Sequence, residues 1–290
     1  MNKLISEIIK TCEVVIRKLD VNAAFFNGTG YSGDEKKLMI KASKKLKKAV
    51  RADISNQFDG MLYNVASLID QSQKMSIKKG EANVSEDDDK AMAVLMALIW
   101  MESSSIGATI ARLNNGTFLS LTQSALIEFG YKGNAADAAE KLAESWKANY
   151  AGRIGEMLNA NSKEMVKKVL ADAIENNKGG NLPALLVAIK VGLESISERI
   201  DYRSQQIAQN EVLSTGNEGR YMAALIAGKR TKVWKTVGDS KVRDWHKAAN
   251  GQTVAIGDYF IVNGERMLYP KDPNGSAANV VNCRCWAEYK

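Results

Sequence analysis

One histidine and two cysteines are the residues of this 290-residue chain whose types and spacing could do chemistry. His246 stands in VRDWH, and Cys283 and Cys285 stand in NCRC near the end of the sequence. Two thiols and an imidazole can supply three of the four ligands of a zinc ion, with Asp239, Asp258 or a water as the fourth. The same groups could form a thiol–imidazole nucleophile. They can also pack as small apolar side chains beside a hydrogen-bonded histidine, or a thiol can link to a partner during assembly. The Cys-x-Cys spacing is tighter than the two to four residues usual between zinc-binding cysteines. A disulfide between Cys283 and Cys285 would need strained geometry. The sequence carries no cysteine-protease motif, and it lacks the His-x-Glu with Cys-x-x-Cys of zinc deaminases. Metal binding and plain packing therefore stay open, and no enzyme is expected. No cofactor is expected beyond a zinc held by this triad.

A second candidate is electrostatic. The formal net charge is +7, and Glu35–Arg51 alone holds eight basic residues and one acidic one, so the rest of the chain is neutral. Lys37, Lys41, Lys44, Lys48 and Arg51 recur at three- and four-residue spacing, which places them on one helix face. Leu38, Ala42, Leu46, Val50 and Ile54 form an apolar stripe on another face. Such a face is a solvated surface, a contact for an acidic protein, or a phosphate-binding strip that neutralises DNA without reading sequence. No aromatic residue interleaves the lysines, which argues against stacking on single-stranded bases.

These groups must be positioned by helices and a short-strand tail. Only three prolines occur, the first at Pro183, which permits long helices before it. The apolar spacing predicts helices over residues 2–20, from about Asp34 onward with a break near Gly60, and from a Ser85 cap. Residues 91–101, AMAVLMALIWM, are too short to span a bilayer and read as a buried core helix. Glu7, Lys10 and Glu13 interrupt any signal-peptide core. Asn114–Asn134 reads as loops around a short apolar piece. Helices follow over 135–158, from Ser162 to a Gly179–Gly180 stop, and from an Asn181 cap with Pro183 in its first turn.

After about residue 230 the pattern shifts to β-formers. KVWKTV is one strand. SKVRDWHKAA is a short helix capped by Asp239 and closed by Asn250–Gly251. Strands flank an Asn263–Gly264 type I′ turn, and CRCWAEY is a closing strand with both cysteines on one side. The fold class is α+β: a long, mainly helical region over 1–190, then a domain over 191–290 that is helical to about 230 and compact α+β beyond. Three cysteines make no disulfide framework and suit a reducing compartment.

Read in order, IAQNEVLSTGN, KVWKTVGDSKVRDWH, NGQTV, LYPKDPNG and NCRC resemble the C-terminal domain of the phage Mu protein F-like family of minor head, or head-morphogenesis, proteins. Arg203 and Glu211 match its Arg-rich helix with a glutamate. Trp234 and Asp239 match its Trp-to-Asp turn, with one intervening residue fewer. Val242, Arg243 and His246 match Val-Arg-x-x-His. Tyr269 and Pro270 match its Tyr-Pro loop, and Asn282, Cys283, Arg284 and Cys285 its terminal Asn-Cys-Arg-Cys. The resemblance covers roughly residues 195–288.

It implies a structural protein of tailed-phage heads, incorporated in several copies at the portal vertex or inner capsid and assembled in the host cytoplasm. The implied partners are the portal protein, the major capsid protein and packaged double-stranded DNA, with no membrane span. The implied role is head morphogenesis, DNA packaging or delivery, with residues 1–190 as the docking region. No toxin domain is expected after NCRC. Two alternatives stand beside it. One is a metal- or thiol-dependent enzyme, nuclease-like or ADP-ribosyltransferase-like, using His246, Cys283 and Cys285. The other is a non-specific DNA-binding module using residues 35–51. Arg243 and Arg284 recur in the family pattern, and both are expected to lock the tail through ion pairs or backbone contacts, with Asp239 and Asp244 as partners.

Overall fold

A computed structural model of the chain describes residues 21–79, 88–103, 105–178 and 181–290. The helix expected over 2–20, the Ser85 cap and the Gly179–Gly180 stop lie outside the described residues. The helices are α1 (Val21–Phe26), α2 (Gly33–Lys79), α3 (Asp88–Ile99), α4 (Ile106–Glu128), α5 (Ala135–Asn176), α6 (Leu182–Ser197) and α7 (Ile200–Ile226). Then come β1 (Thr231–Lys235), α8 (Asp244–Ala249), β2 (Thr253–Ala255), β3 (Phe260–Val262), β4 (Glu265–Met267), α9 (Ala277–Val280) and β5 (Trp286–Tyr289). The architecture is α+β, as expected: long helices first, short antiparallel strands last.

Packing does not follow a single cut along the chain. One unit is built from the described residues up to Leu46 with Leu113–Ser145 and Ala208–Lys290; the other is Lys47–Arg112 with Trp146–Ile207.

Local signals explain the helix ends. Ser32 and Glu35 form a reciprocal capping box at the start of α2: the Ser32 N–H donates to Glu35 Oε2 at 2.7 Å, and the Glu35 N–H donates to Ser32 Oγ at 3.3 Å. Asn181 Oδ1 accepts from the Ala184 N–H at 3.0 Å and caps α6, with Pro183 in the first turn.

Several expectations are corrected. α2 runs through Gly60 without a break. Its buried stripe is Met39, Ser43, Leu46, Val50, Ile54, Phe58, Met61 and Val65; Leu38 and Ala42 are only half-buried. A strict four-residue repeat overshoots the 3.6-residue turn, so the buried face moves to Met39 and Ser43 at the N-terminal end. The stretch 114–134 is helix up to Glu128, because Asn114, Thr117 and Thr122 are buried and Asn114 Nδ2 donates to Thr215 Oγ1 at 3.3 Å. α3 buries Leu95, Met96 and Ile99 but exposes Val94 and Leu98, so it is buried on one face only.

In the second unit, α4 and α5 approach at two glycines. A Cβ on Gly107 would collide with the Ala151 carbonyl and sit 2.9 Å from Gly155 Cα, whereas a Cβ on Gly155 would meet Gly107 Cα at 3.4 Å. Asn159 ties the same unit together. Its Oδ1 accepts from Gln57 Nε2 at 3.1 Å and from the Ser103 N–H at 3.0 Å, and its Nδ2 donates to the Ser103 carbonyl at 2.9 Å.

In the first unit, an antiparallel sheet runs β2-β1-β5, with Val233 opposite Thr253 on one side and Glu288 on the other. β3 and β4 pair as a separate hairpin, with Val262 opposite Glu265. Its two turn residues, Asn263 and Gly264, have φ of 52° and 78°, the positive pair a type I′ turn requires. Tyr221 and Ala224 of α7 share a core with Trp234, Phe260, Val262, Met267, Cys283, Cys285, Ala287 and Tyr289.

Candidate functional site

The structure brings His246, Cys283 and Cys285 together. α8 carries His246, and an extended segment before β5 carries both cysteines; the strand starts only at Trp286, three residues later than a strand over CRCWAEY requires. The three side chains are 1%, 3% and 2% exposed. His246 Nδ1 lies 3.6 Å from Cys283 Sγ and 3.5 Å from Cys285 Sγ. All three candidate ligand atoms lie within 4.8 Å of one another.

Asn279 fixes which imidazole nitrogen faces the sulfurs. Trp245 Nε1 lies 2.8 Å from Asn279 Oδ1, and an indole N–H only donates, so that amide atom is the oxygen. His246 Nε2 is 3.2 Å from the same oxygen and must therefore donate to it. Nδ1 is the ring nitrogen left facing the thiols. Asn279 Nδ2 donates to the Val262 carbonyl at 3.2 Å and fixes the amide from the other end.

A backbone donor also points at sulfur. The Cys285 N–H donates to Cys283 Sγ at 3.4 Å. Trp234 Nε1 is buried beside the thiols with no hydrogen-bond partner among the described residues. Burial alone would raise the Cys283 thiol. Hydrogen bonds from Cys285 and His246 and the nearby Lys271 charge outweigh it and hold Cys283 well below the usual thiol range. Cys285 moves the other way, raised by the hydrogen bond with Cys283 and by burial, so the pair favours one shared proton.

Lys271 was not foreseen from the sequence. It is 2% exposed, has φ of 66°, and its Nζ donates to Asn210 Oδ1 at 2.5 Å and to the Val280 carbonyl at 2.7 Å. Burial lowers its pKa to about 8. Asn210 Oδ1 also accepts from the Asn282 N–H at 2.8 Å, and Asn282 itself has φ of 57°. Farther along α7, Asn217 Nδ2 donates to the Pro270 carbonyl at 2.8 Å and the Cys285 carbonyl at 3.0 Å, while its Oδ1 accepts from Tyr31 OH at 2.8 Å. The asparagines of IAQNEVLSTGN therefore clamp the backbone that presents the thiols. Buried polar side chains just before a cysteine-bearing tail were the available signal.

The other marked residues fall around this centre. Trp234 is fully buried, edge-on to His246 at 5.7 Å. Asp239 does not cap the short helix. Arg243 stands at that position without a side-chain cap, and Asp239 instead meets Arg284 Nη2 at 2.7 Å through each oxygen. Asp239 is therefore engaged, and neither it nor Asp258 belongs to the ligand cluster among the described residues. Arg243 donates to the Val281 carbonyl at 2.6 Å. Asp244 pairs with Lys247 rather than with an arginine. A small pocket beside the triad, about 10 Å³, also borders Val237, Lys241, Arg243 and Asn282 and has room for one water.

The basic residues lie elsewhere, on α2. Lys37, Lys41, Lys44, Lys48 and Arg51 are all exposed. Lys37 pairs with Asp34 at 2.9 Å. In the second unit, Arg51 lies 3.7 Å from Asp201, which also takes Lys47 at 2.8 Å. Arg203, from the family pattern, donates to Ser162 Oγ at 2.8 Å. No helix of the described residues is long and apolar enough to cross a membrane.

Residues 164–288, the C-terminal portion of the chain, match the family model described as phage Mu protein F like protein. The match starts about thirty residues before the resemblance read from the motifs, and it takes in the end of α5 and all of α6 and α7. This ties that portion to bacteriophages and head morphogenesis. The chain is also similar to the uncharacterized protein YqbB of Bacillus subtilis (strain 168), 25% identical over 146 residues. That alignment covers 49% of this chain and 46% of the relative, so the chain spans less than half of that protein. No solved structure matches the chain.

Proposed function

We propose that the protein is a structural minor head protein of a tailed bacteriophage, placed at the portal vertex or inner capsid and acting in head morphogenesis, DNA packaging or delivery. The match over residues 164–288 carries this reading. Two features agree with it. The polar side chains of the tail are spent on one another, as in Asp239–Arg284 and Asn217 with the Pro270 and Cys285 carbonyls. The pocket at the thiols, about 10 Å³, has room for one water and is far smaller than a small-molecule site. The helical region, over residues 1–190, is the proposed docking surface for portal or capsid subunits.

The test is a phage lacking the chain. Defective or empty heads, restored by supplying the protein in trans, are expected, as is its presence in purified virions in several copies. Normal assembly, packaging and infection without it would overturn the reading.

A second reading rests on the exposed basic face of α2, where Lys41, Lys44 and Lys48 line one side of a helix whose opposite side buries Leu46, Val50 and Ile54. Phosphate contact needs only placed cations, so this face would meet packaged DNA without sequence preference.

A further inference from the structure

We propose that His246, Cys283 and Cys285 form a zinc site that pins α8 to the segment entering β5. The ligand types suit zinc: two thiolates and one neutral imidazole. With zinc–sulfur bonds of about 2.3 Å and a zinc–nitrogen bond of about 2.0–2.1 Å, the N···S edge of a tetrahedron is about 3.5–3.6 Å. The observed edges are 3.6 and 3.5 Å.

The surroundings are those of a metal centre. Nε2 of His246 donates to an oriented carboxamide oxygen, which leaves Nδ1 as the ligand atom. The Cys285 N–H is directed at Cys283 Sγ. Sulfurs that remain thiolates on a metal accept such donors best. Two thiolates and one divalent ion are neutral together, which removes the cost of burying either alone. The pocket bordered by the triad, Val237, Lys241 and Asn282 has room for one water, which takes the fourth position. The tight Cys-x-Cys spacing is accommodated because Asn282 takes a left-handed backbone angle just before Cys283, held by Asn210.

The experiment uses the full chain, purified after expression in zinc-supplemented medium. Elemental analysis should give close to one zinc per chain. Exchange with Co²⁺ should produce a thiolate-to-cobalt charge-transfer band and visible bands of tetrahedral intensity. Cys283→Ser, Cys285→Ser and His246→Gln should each bring the zinc ratio close to zero, while Cys12→Ser, at the remaining cysteine of the sequence, should leave it unchanged. Should the variants fail to fold, the wild-type Co²⁺ spectrum decides alone. A zinc ratio near zero in folded wild type after dialysis against Zn²⁺, or a Co²⁺ complex without a thiolate band, overturns the proposal. So does rapid stoichiometric alkylation of both thiols in zinc-equilibrated protein, because that marks a free thiol–imidazole pair.

Discussion

Arg284 and Asp239 meet through a single guanidinium nitrogen, Nη2, that lies 2.7 Å from both carboxylate oxygens. The pair joins the loop after β1 to the residue between the two thiols. The Arg284 side chain is 13% exposed and that of Asp239 42%. Half-exposed pairs are worth little, so Arg284→Ala or Asp239→Ala should lower stability by about 1 kcal/mol or less. A double-mutant cycle in urea should show coupling of the same order; additive losses would mean that the contact contributes nothing.

Asn279 should matter far more. It is fully buried and serves Trp245, His246 and the Val262 carbonyl at once. Asn279→Leu strands these groups, and each buried unsatisfied group costs about 1–3 kcal/mol. A large fall in the denaturation midpoint of the Leu variant is expected; a midpoint within error of wild type would contradict the assigned network.

Lys232 supplies a pH dependence. Its side chain is buried, its Nζ donates to the Leu268 carbonyl at 2.6 Å, and it lies over the Tyr221 and Phe260 rings. Burial lowers its pKa from 10.5 to about 8, against the opposing pull of Asp258 and Asp272. Between those values the unfolded chain binds the proton more tightly than the folded one, so folding stability rises with pH across that window. Lys232→Met removes this contribution. Wild type should therefore gain stability relative to the Met variant as pH rises from about 8 toward 10.5. Parallel stability curves for the two proteins would contradict the assignment.

The α4–α5 approach predicts an asymmetry. Gly107→Ala meets backbone that cannot swing aside, whereas Gly155→Ala meets Gly107 Cα at 3.4 Å, which is tight but passable. Forcing packed elements apart costs about 1–3 kcal/mol. Thermal denaturation should show a clear loss for Gly107→Ala and a smaller one for Gly155→Ala.

If the basic face of α2 meets DNA, Lys41→Glu with Lys48→Glu should weaken binding to any duplex. The dependence of log affinity on log salt should also become shallower. Unchanged affinity and slope would remove the DNA reading and leave an acidic protein surface as the partner of this face.

The parts legible in the sequence were those with local causes. Asn263–Gly264 announces its hairpin because few residues accept two successive positive φ angles. Asn181 and Pro183 announce the start of α6. His246, Cys283 and Cys285 stood out by rarity, and they do converge. What was not legible depends on partners far along the chain. Asn114 looked like a loop residue but is helical, because Thr215 satisfies it. Nothing local marks Lys271 as buried; Asn210 and the Val280 carbonyl make its burial tolerable. Asp239 looked like a cap, until Arg284 engaged it. Glu35 was counted only as a charge, although with Ser32 it starts α2, and with Glu128 it brackets Arg220 at 3.5 and 2.8 Å.

Asn217 has a consequence in time. It accepts a hydrogen bond from Tyr31 and donates one to the Cys285 carbonyl, so the unit around it needs residues 31, 217 and 285 together. At a ribosomal pace of about 5–20 residues per second, the asparagine waits several seconds for its last partner to be made. This unit cannot close during most of translation, and its slow step is set by contacts that span nearly the whole chain. Until then the surface that will hold Trp234 and the thiols is open, and a chaperone or an assembly partner could meet it before the protein has finished folding.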